Sequence, residues 1–399
     1  MSSSTVTSTS PSRRARVRRT LLPTAALAAV LSLTACSLVG GGGGASDEGG
    51  ATADQTSDGA TTADGEASAG TGASPSSITL VTHDSFALSE DVLASFTEQT
   101  GIEVTVVAPG DGGALVNQLV LTKDSPLGDV VFGVDTTFAS RAMDEGVFAP
   151  YTSPALPASA EQYLLGDALT PVDVSDVCLN VDLAWYEENG QTPPASLEDL
   201  TQPEYASQLV VTNPATSSPG LAFLLTTVAA FGGADGSSTT GDGTGWLSYW
   251  ERLRDNDVLV VDGWSDAYYV DFSGGGGDGT RPVVLSYASS PPYTVGDDGE
   301  PTTAALLDTC FRQVEFAGVL TGAANPEGAQ AFIDFLLSPA VQADVPGSMY
   351  VYPVDDTVAL PDDWAQWAPL ATTPFAVPAD EIAANRSTWI DQWTQTVLD

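Results

Sequence analysis

The chain has 399 residues, more than one compact domain commonly uses and suited to two lobes with extra segments; 43% are hydrophobic, enough for a sizeable core. Twelve Lys and Arg stand against 52 Asp and Glu, and Arg13, Arg14, Arg16, Arg18 and Arg19 crowd the start, so only seven basic side chains serve the rest. A body this acidic excludes nucleic acid as a partner, keeps its own surface off an anionic bilayer and favours a neutral or cationic ligand.

In chain order, the first element is an address. After the arginines comes an apolar stretch from Leu21 to Leu33, broken only by Pro23, Thr24 and Ser32, and then Leu33-Thr34-Ala35-Cys36, the order of a secretory signal peptide. The apolar run is shorter than the roughly 20 residues a bilayer-spanning helix needs. LTAC resembles the lipobox of bacterial lipoproteins, which implies that residues 1–35 are removed and that Cys36 is lipidated, anchoring the protein to the outer face of the cell membrane. Arg13-Arg14 and Arg18-Arg19 leave twin-arginine export open beside the general route. Residues 36–77, mostly Gly, Ala, Ser, Thr and Asp, are expected to form a flexible tether with a reach of roughly 35 Å.

The folded part starts with a strand at Ile78 to Val81, then a helix through Val92, Leu93 and Phe96 that Ser89 caps and Gly101 ends. EVTVVAP follows as a strand with Val104 and Val106 on one face. Asp111-Gly112-Gly113 opens a helix carrying Leu115, Leu119 and Val120, and DVVFGVD closes the unit at Asp135. This order predicts a parallel sheet covered by helices, with ligand contacts on loops at the carboxyl ends of the strands. Further on, Ser218 as N-cap and Pro219 at N1 open an apolar helix, PVVLSY at 282–287 is a buried strand, and Asn325-Pro326-Glu327 starts a helix whose Phe332, Ile333 and Leu336 share a face. Gly/Asp-rich insertions at 232–244 and 274–279 read as surface loops. Cys178 and Cys310 sit in strand-like runs; outside the cytoplasm such a pair is more often a disulfide than a metal site, and one here clamps neighbouring strands. The whole is expected to be α/β with two lobes and a site in the cleft between them.

Several motifs in order resemble the periplasmic thiamine-binding proteins of bacterial ABC importers: THDSF at 82–86, DGGALVNQL at 111–119, GDVVFGVD at 128–135, TSSPGLAFLL at 216–225, GWSDAY at 263–268, LSYASSPPY at 285–293, FLLSPAVQADVP at 335–346, YVYPV at 350–354 and AANRSTWIDQW at 383–393. The resemblance spans about 78–399. It implies a type II periplasmic-binding-protein (Venus-flytrap) fold, with lobe 1 at 78–172 and 311–346 and lobe 2 at 173–310 and 347–399. It implies no catalytic residue, cofactor or metal. The implied function is monomeric delivery of thiamine, thiamine monophosphate or thiamine diphosphate to a membrane permease with its ATPase. Ligand contacts carried over by position are His83, Asp84, Ser85, Asp111, Gly112, Ser218, Trp264, Tyr287, Tyr293 and Tyr350. Three positions depart from the family: His83 stands where Tyr is usual, Tyr350 where Trp is usual, and Ala215 where an arginine often precedes the TSTPG-like motif, which bears on phosphorylated ligands.

The chemistry fits independently of the resemblance. A flat heterocycle with a permanent positive charge needs aromatic faces, at roughly 0.5–2 kcal/mol for each cation–π contact, and a carboxylate. Trp264, Tyr268, Tyr287, Tyr293 and Tyr350 supply rings, and Asp84, Asp111 and Asp266 supply acids. Tyr293 and Tyr350 are expected to sandwich the ligand while Asp84 or Asp111 meets its cationic side. Each residue also has a plainer role: Asp84 and Asp111 as caps, Trp264 and Tyr350 as core, Ser217 and Ser218 as helix capping. The rivals are ferric iron held by Tyr268-Tyr269, although neighbours in a strand face opposite ways, an exported hydrolase, which has a single histidine and no GxSxG motif to draw on, and a purely structural cell-wall lipoprotein.

Overall fold

The computed structural model describes residues 76–232 and 245–399; the expected signal peptide, Cys36, nearly all of the expected tether and most of the 232–244 insertion lie outside the described residues. Among these, ten strands build one mixed sheet: β1 (Ser77–Val81), β2 (Glu103–Val107), β3 (Val130–Asp135), β4 (Phe148–Ala149), β5 (Thr170–Asp182), β6 (Leu209–Thr212), β7 (Leu259–Val261), β8 (Val283–Tyr287), β9 (Thr303–Leu320) and β10 (Tyr352–Pro353). The order is β2-β1-β3-β9-β5-β8-β6-β7, with β10 on β5 and β4 on β9.

The two long strands explain the two lobes. β5 and β9 run antiparallel to each other from Thr170↔Ala317 to Asp182↔Thr303, with register shifts at Pro171/Asp173 and Val177/Leu179. The carboxyl end of β9 also pairs β3, while the carboxyl end of β5 pairs β8. Each strand therefore belongs to both halves. Parallel β1, β2 and β3 lie on one side, and parallel β6, β7 and β8 on the other.

Local sequence accounts for the elements. β3 is buried at every position and apolar up to its last residue, Asp135, as a strand covered on both faces requires, whereas β2 is an edge strand whose Val106 and Val107 stay exposed. Helix Pro326–Leu336 buries Phe332, Ile333 and Leu336, and Asn325 caps it by accepting from Gly328 N at 3.0 Å. Cys178 and Cys310 form a disulfide that staples β5 to β9. Beside it Arg312 donates to the buried Asp176 carboxylate at 2.5 Å.

Two expected caps differ. Ser89 precedes helix Glu90–Thr100 but does not cap it with its side chain, because its hydroxyl donates to Asp344 Oδ1 at 2.5 Å and ties the helix to helix Pro339–Ser348. The helix starting at Ser218 is capped one residue earlier, by Ser217, which accepts from Gly220 N at 3.4 Å and donates to Thr212 Oγ1 at 2.8 Å. Ser218 is thus the first helical residue, and its hydroxyl is left for another use.

Candidate functional site

Loops at the carboxyl ends of the strands converge, as the α/β order leads one to expect. β1 is followed by His83, Asp84 and Ser85, β2 by Asp111 and Gly112, β6 by Ser218, and β7 by Trp264; Tyr287 ends β8 and Tyr293 follows it, while Tyr350 precedes β10. All ten of these residues border a single cavity of about 330 Å³. Tyr268, Tyr269, Ser290, Met349 and Glu315 border it too, whereas Asp266 does not. No lysine or arginine is in the lining.

Asp111 sits where the two halves meet. Its carboxylate accepts from Gly112 N at 2.5 Å, capping helix Gly112–Leu121, and also from Trp264 N at 3.0 Å and Ser218 N at 3.2 Å on the opposite side. Ala114 N donates to Thr216 O at 2.9 Å and Asn117 Nδ2 to Ala215 O at 3.3 Å, extending the same seam. Gly112 permits the approach: a Cβ there would collide with Ser218 Oγ. Burial raises the Asp111 pKa despite these donors. The capping role and the place at the cavity are both real for Asp111; Asp84, by contrast, is exposed at the mouth.

Beneath the cavity runs a row of acids, of which Glu315 borders it. Across β3, β9 and β5 the register places Asp135 opposite Glu315 and Glu315 opposite Asp173, so three carboxyls stand side by side. Asp135 is well supplied with donors: Thr137 N at 2.9 Å, Thr137 Oγ1 at 2.7 Å, Phe138 N at 3.0 Å and Gln313 Nε2 at 2.9 Å. Even so, burial pushes its pKa up to about 6. Asp173 is fully buried, neither carboxyl oxygen receives a donor, and burial together with Glu315 holds its pKa well above the usual carboxylate range. Glu315 has His83 Nε2 at 3.3 Å. The His83 ring lies over Gly133, where a Cβ would clash with it, and Nδ1 accepts from Ser85 N at 3.2 Å, which leaves the ring proton on Nε2, facing Glu315. Burial pulls the His83 pKa down, but Glu315, Asp111 and Asp84 outweigh it and the net shift is upward.

The walls are aromatic. Trp264 stacks on Tyr268 with centroids 5.0 Å apart, and its indole N–H donates to Ser286 Oγ at 3.0 Å. Tyr293 and Tyr350 meet edge to face at 4.8 Å, so no ligand ring fits between them as they stand, contrary to the expected sandwich. Tyr350 has φ of 56°, uncommon for a bulky residue, and its carbonyl accepts from Ser289 Oγ. Tyr268 and Tyr269 lie in a helical turn, Ala267–Asp271, not a strand; both rings therefore reach the cavity, with centroids 5.2 Å apart. The 274–279 insertion is more than a surface loop: its glycines let the chain close onto the backbone of that turn, since a Cβ at Gly275 or Gly277 would strike the carbonyl of Tyr268 or Tyr269.

Glu315 is the functional candidate that sequence reasoning missed. It lies mid-strand in RQVEF, away from any loop, and its one signal is an acid inside the buried carboxyl half of the strand. Among the described residues, no three His, Cys, Asp or Glu side chains are grouped to hold a metal.

A family model described as bacterial extracellular solute-binding protein matches residues 91–372. The chain is similar to the thiamine-binding periplasmic protein of Escherichia coli K12, at 30% identity over 326 residues, covering 80% of this chain and 93% of that one. It is 29% identical to the protein of the same description from Brucella suis biovar 1, covering 79% and 90%. Among solved structures, a periplasmic thiamin binding protein superposes with a TM-score of 0.68 at 28% identity, covering 80% of this chain and 96% of that one.

Proposed function

Because the chain belongs to the bacterial extracellular solute-binding protein family, whose members serve transport and not catalysis, we propose that it binds thiamine in the cleft and delivers it to a membrane permease driven by an ATPase. The observation that carries this reading is the lining of the cavity: Trp264 and a set of tyrosines beside Asp84, Asp111 and Glu315, with His83 but no lysine or arginine. Rings and an excess of carboxylates over basic groups suit a flat, positively charged heterocycle. The names of the relatives point the same way. The ten residues named from sequence form the ligand-binding set in this proposal, and Glu315 and Tyr268 join them. The lobes divide near 172, 310 and 347, and lipidated Cys36 holds the protein at the outer face of the cell membrane through its tether.

Ferric iron keeps one supporting observation, the shared exposure of Tyr268 and Tyr269 to the cavity. A single experiment separates the two. Thermal unfolding of the full-length protein is followed with thiamine, its phosphates and ferric citrate; a true ligand at a hundredfold excess over Kd adds about 2.7 kcal/mol of apparent stability. No stabilisation by thiamine sinks the proposal. Stabilisation by iron with a phenolate colour band transfers the site to the metal.

A further inference from the structure

The row of acids under the cleft has a further consequence for recognition. Like charges directly opposite one another in a sheet repel, and here three carboxyls are lined up in a buried place, so the row does not carry three full charges. The donors decide where the proton stays. Asp135, with four hydrogen bonds from Thr137, Phe138 and Gln313, is equipped to remain an anion at neutral pH. Asp173 receives none, and its paired neighbour in β9 is Glu315. A proton on Asp173 turns that repulsive contact into a donated hydrogen bond, leaving Glu315 as the anion that borders the cavity.

We propose that Glu315 is the group that meets the ligand's positive charge, and that Asp173 behind it supplies the proton that leaves the protein when the cation enters. The proposal rests on the functional reading above and adds to it a specificity-determining pair. The step balances simply: a cation enters, the O–H bond of Asp173 breaks, its electron pair stays on the carboxylate, and one proton passes to the buffer. The other titratable groups facing the pair are His83 and Asp84 after β1, Asp111 after β2, Asp135 in β3 and Tyr287 in β8. Tyr287 stays a neutral phenol, because burial and these acids hold its pKa well above the ordinary value. His83 is the competing proton source, since it touches Glu315 directly.

The test is titration calorimetry of thiamine into the full-length protein, in two buffers of different ionisation enthalpy at one pH, repeated across neutral pH. Wild type is expected to release a proton on binding, with affinity rising by up to about tenfold per pH unit. Asp173→Asn offers Glu315 the same donated hydrogen bond without a proton to lose, so binding persists while the release and its pH dependence vanish. Glu315→Gln, checked for folding by thermal unfolding, loses affinity for thiamine but not for the neutral aminopyrimidine half of the molecule. His83→Phe, a change within the binding set that is expected to lower affinity, still releases the proton for each thiamine bound when read at saturating ligand. The inference is overturned if Asp173→Asn still releases a proton, if release disappears in His83→Phe instead, or if Glu315→Gln weakens both ligands alike. Thiamine that binds wild type without any release overturns the inference alone; thiamine that does not bind overturns the functional reading and takes the inference with it.

Discussion

Replacing Asp111 with alanine asks whether the cleft is held shut by its own carboxylate. Two of the three hydrogen bonds that group accepts come from the far side, from Trp264 N at 3.0 Å and Ser218 N at 3.2 Å. A hydrogen bond to a charged group contributes about 1.5–3 kcal/mol, so the pair contributes about 3–6 kcal/mol to the closed form. The lower figure is the better guide, because burial raises the Asp111 pKa and the carboxylate is therefore incompletely compensated for the water it has lost. Removing about 3 kcal/mol from the closed form and nothing from the open one lowers the binding-competent fraction and weakens thiamine by roughly a hundredfold. The third bond, from Gly112 N, is a helix cap present in both forms; its loss costs about 1 kcal/mol of overall stability and is read separately by urea unfolding. Calorimetry gives the affinity and small-angle scattering the radius of gyration. A Kd within about threefold of wild type, with no expansion of the free protein, refutes the latch.

Double replacement Cys178→Ser, Cys310→Ser opens a link between residues 132 apart; loop entropy of that length corresponds to about 5 kcal/mol, and urea unfolding is expected to show a loss approaching it, with thiamine binding retained while the protein is folded. Asp135→Asn tests the buried acid. Its folded pKa of about 6 exceeds the ordinary 3.8, so the stability it contributes is full below about pH 4 and is lost as pH rises through about 6, by about 3 kcal/mol. The variant's stability should therefore gain on wild type across that window in pH-dependent unfolding, and parallel profiles count against the assignment. Thiamine diphosphate is expected to bind about tenfold more weakly than thiamine in competition calorimetry, because no lysine or arginine lines the cavity and the amides of Gly112 and Ser218 already donate to Asp111. Equal affinity means that the phosphates find donors elsewhere.

The alternation from β1 to β3 is legible in the sequence because each element there carries its own period and punctuation: Gly101 adopts the left-handed conformation its helix end requires, and Asp111 caps the helix it precedes. Loop residues at strand ends are legible for the same reason. What the sequence leaves hidden depends on register and on neighbours far along the chain. Glu315 becomes a site residue only once β9 lies between β3 and β5, and nothing local in RQVEF reveals that. Tyr268 and Tyr269 look like strand neighbours until Gly275 and Gly277 close onto them and the turn becomes helical. Ser217 and Ser218 are equivalent as caps on paper; Thr212 decides between them by taking the hydrogen bond of Ser217.

The two acidic features of the cleft divide the work of selection between them. A helix N-terminus ordinarily invites an anion, and two meet here, at Gly112 and Ser218; Asp111 fills both with a carboxylate fixed to the protein, so an anionic ligand must displace a bonded group before it gains those amides. The row at Asp135, Glu315 and Asp173 acts in the opposite sense, holding a proton that a cation can replace. Rejection of anions therefore comes from a site already occupied, and preference for cations from a charge left incomplete. Since one feature lies on the seam and the other beneath the cavity, losing the first should open the cleft and free the two helix N-termini to anions, whereas losing the second should weaken the preference for cations in a cleft that still closes.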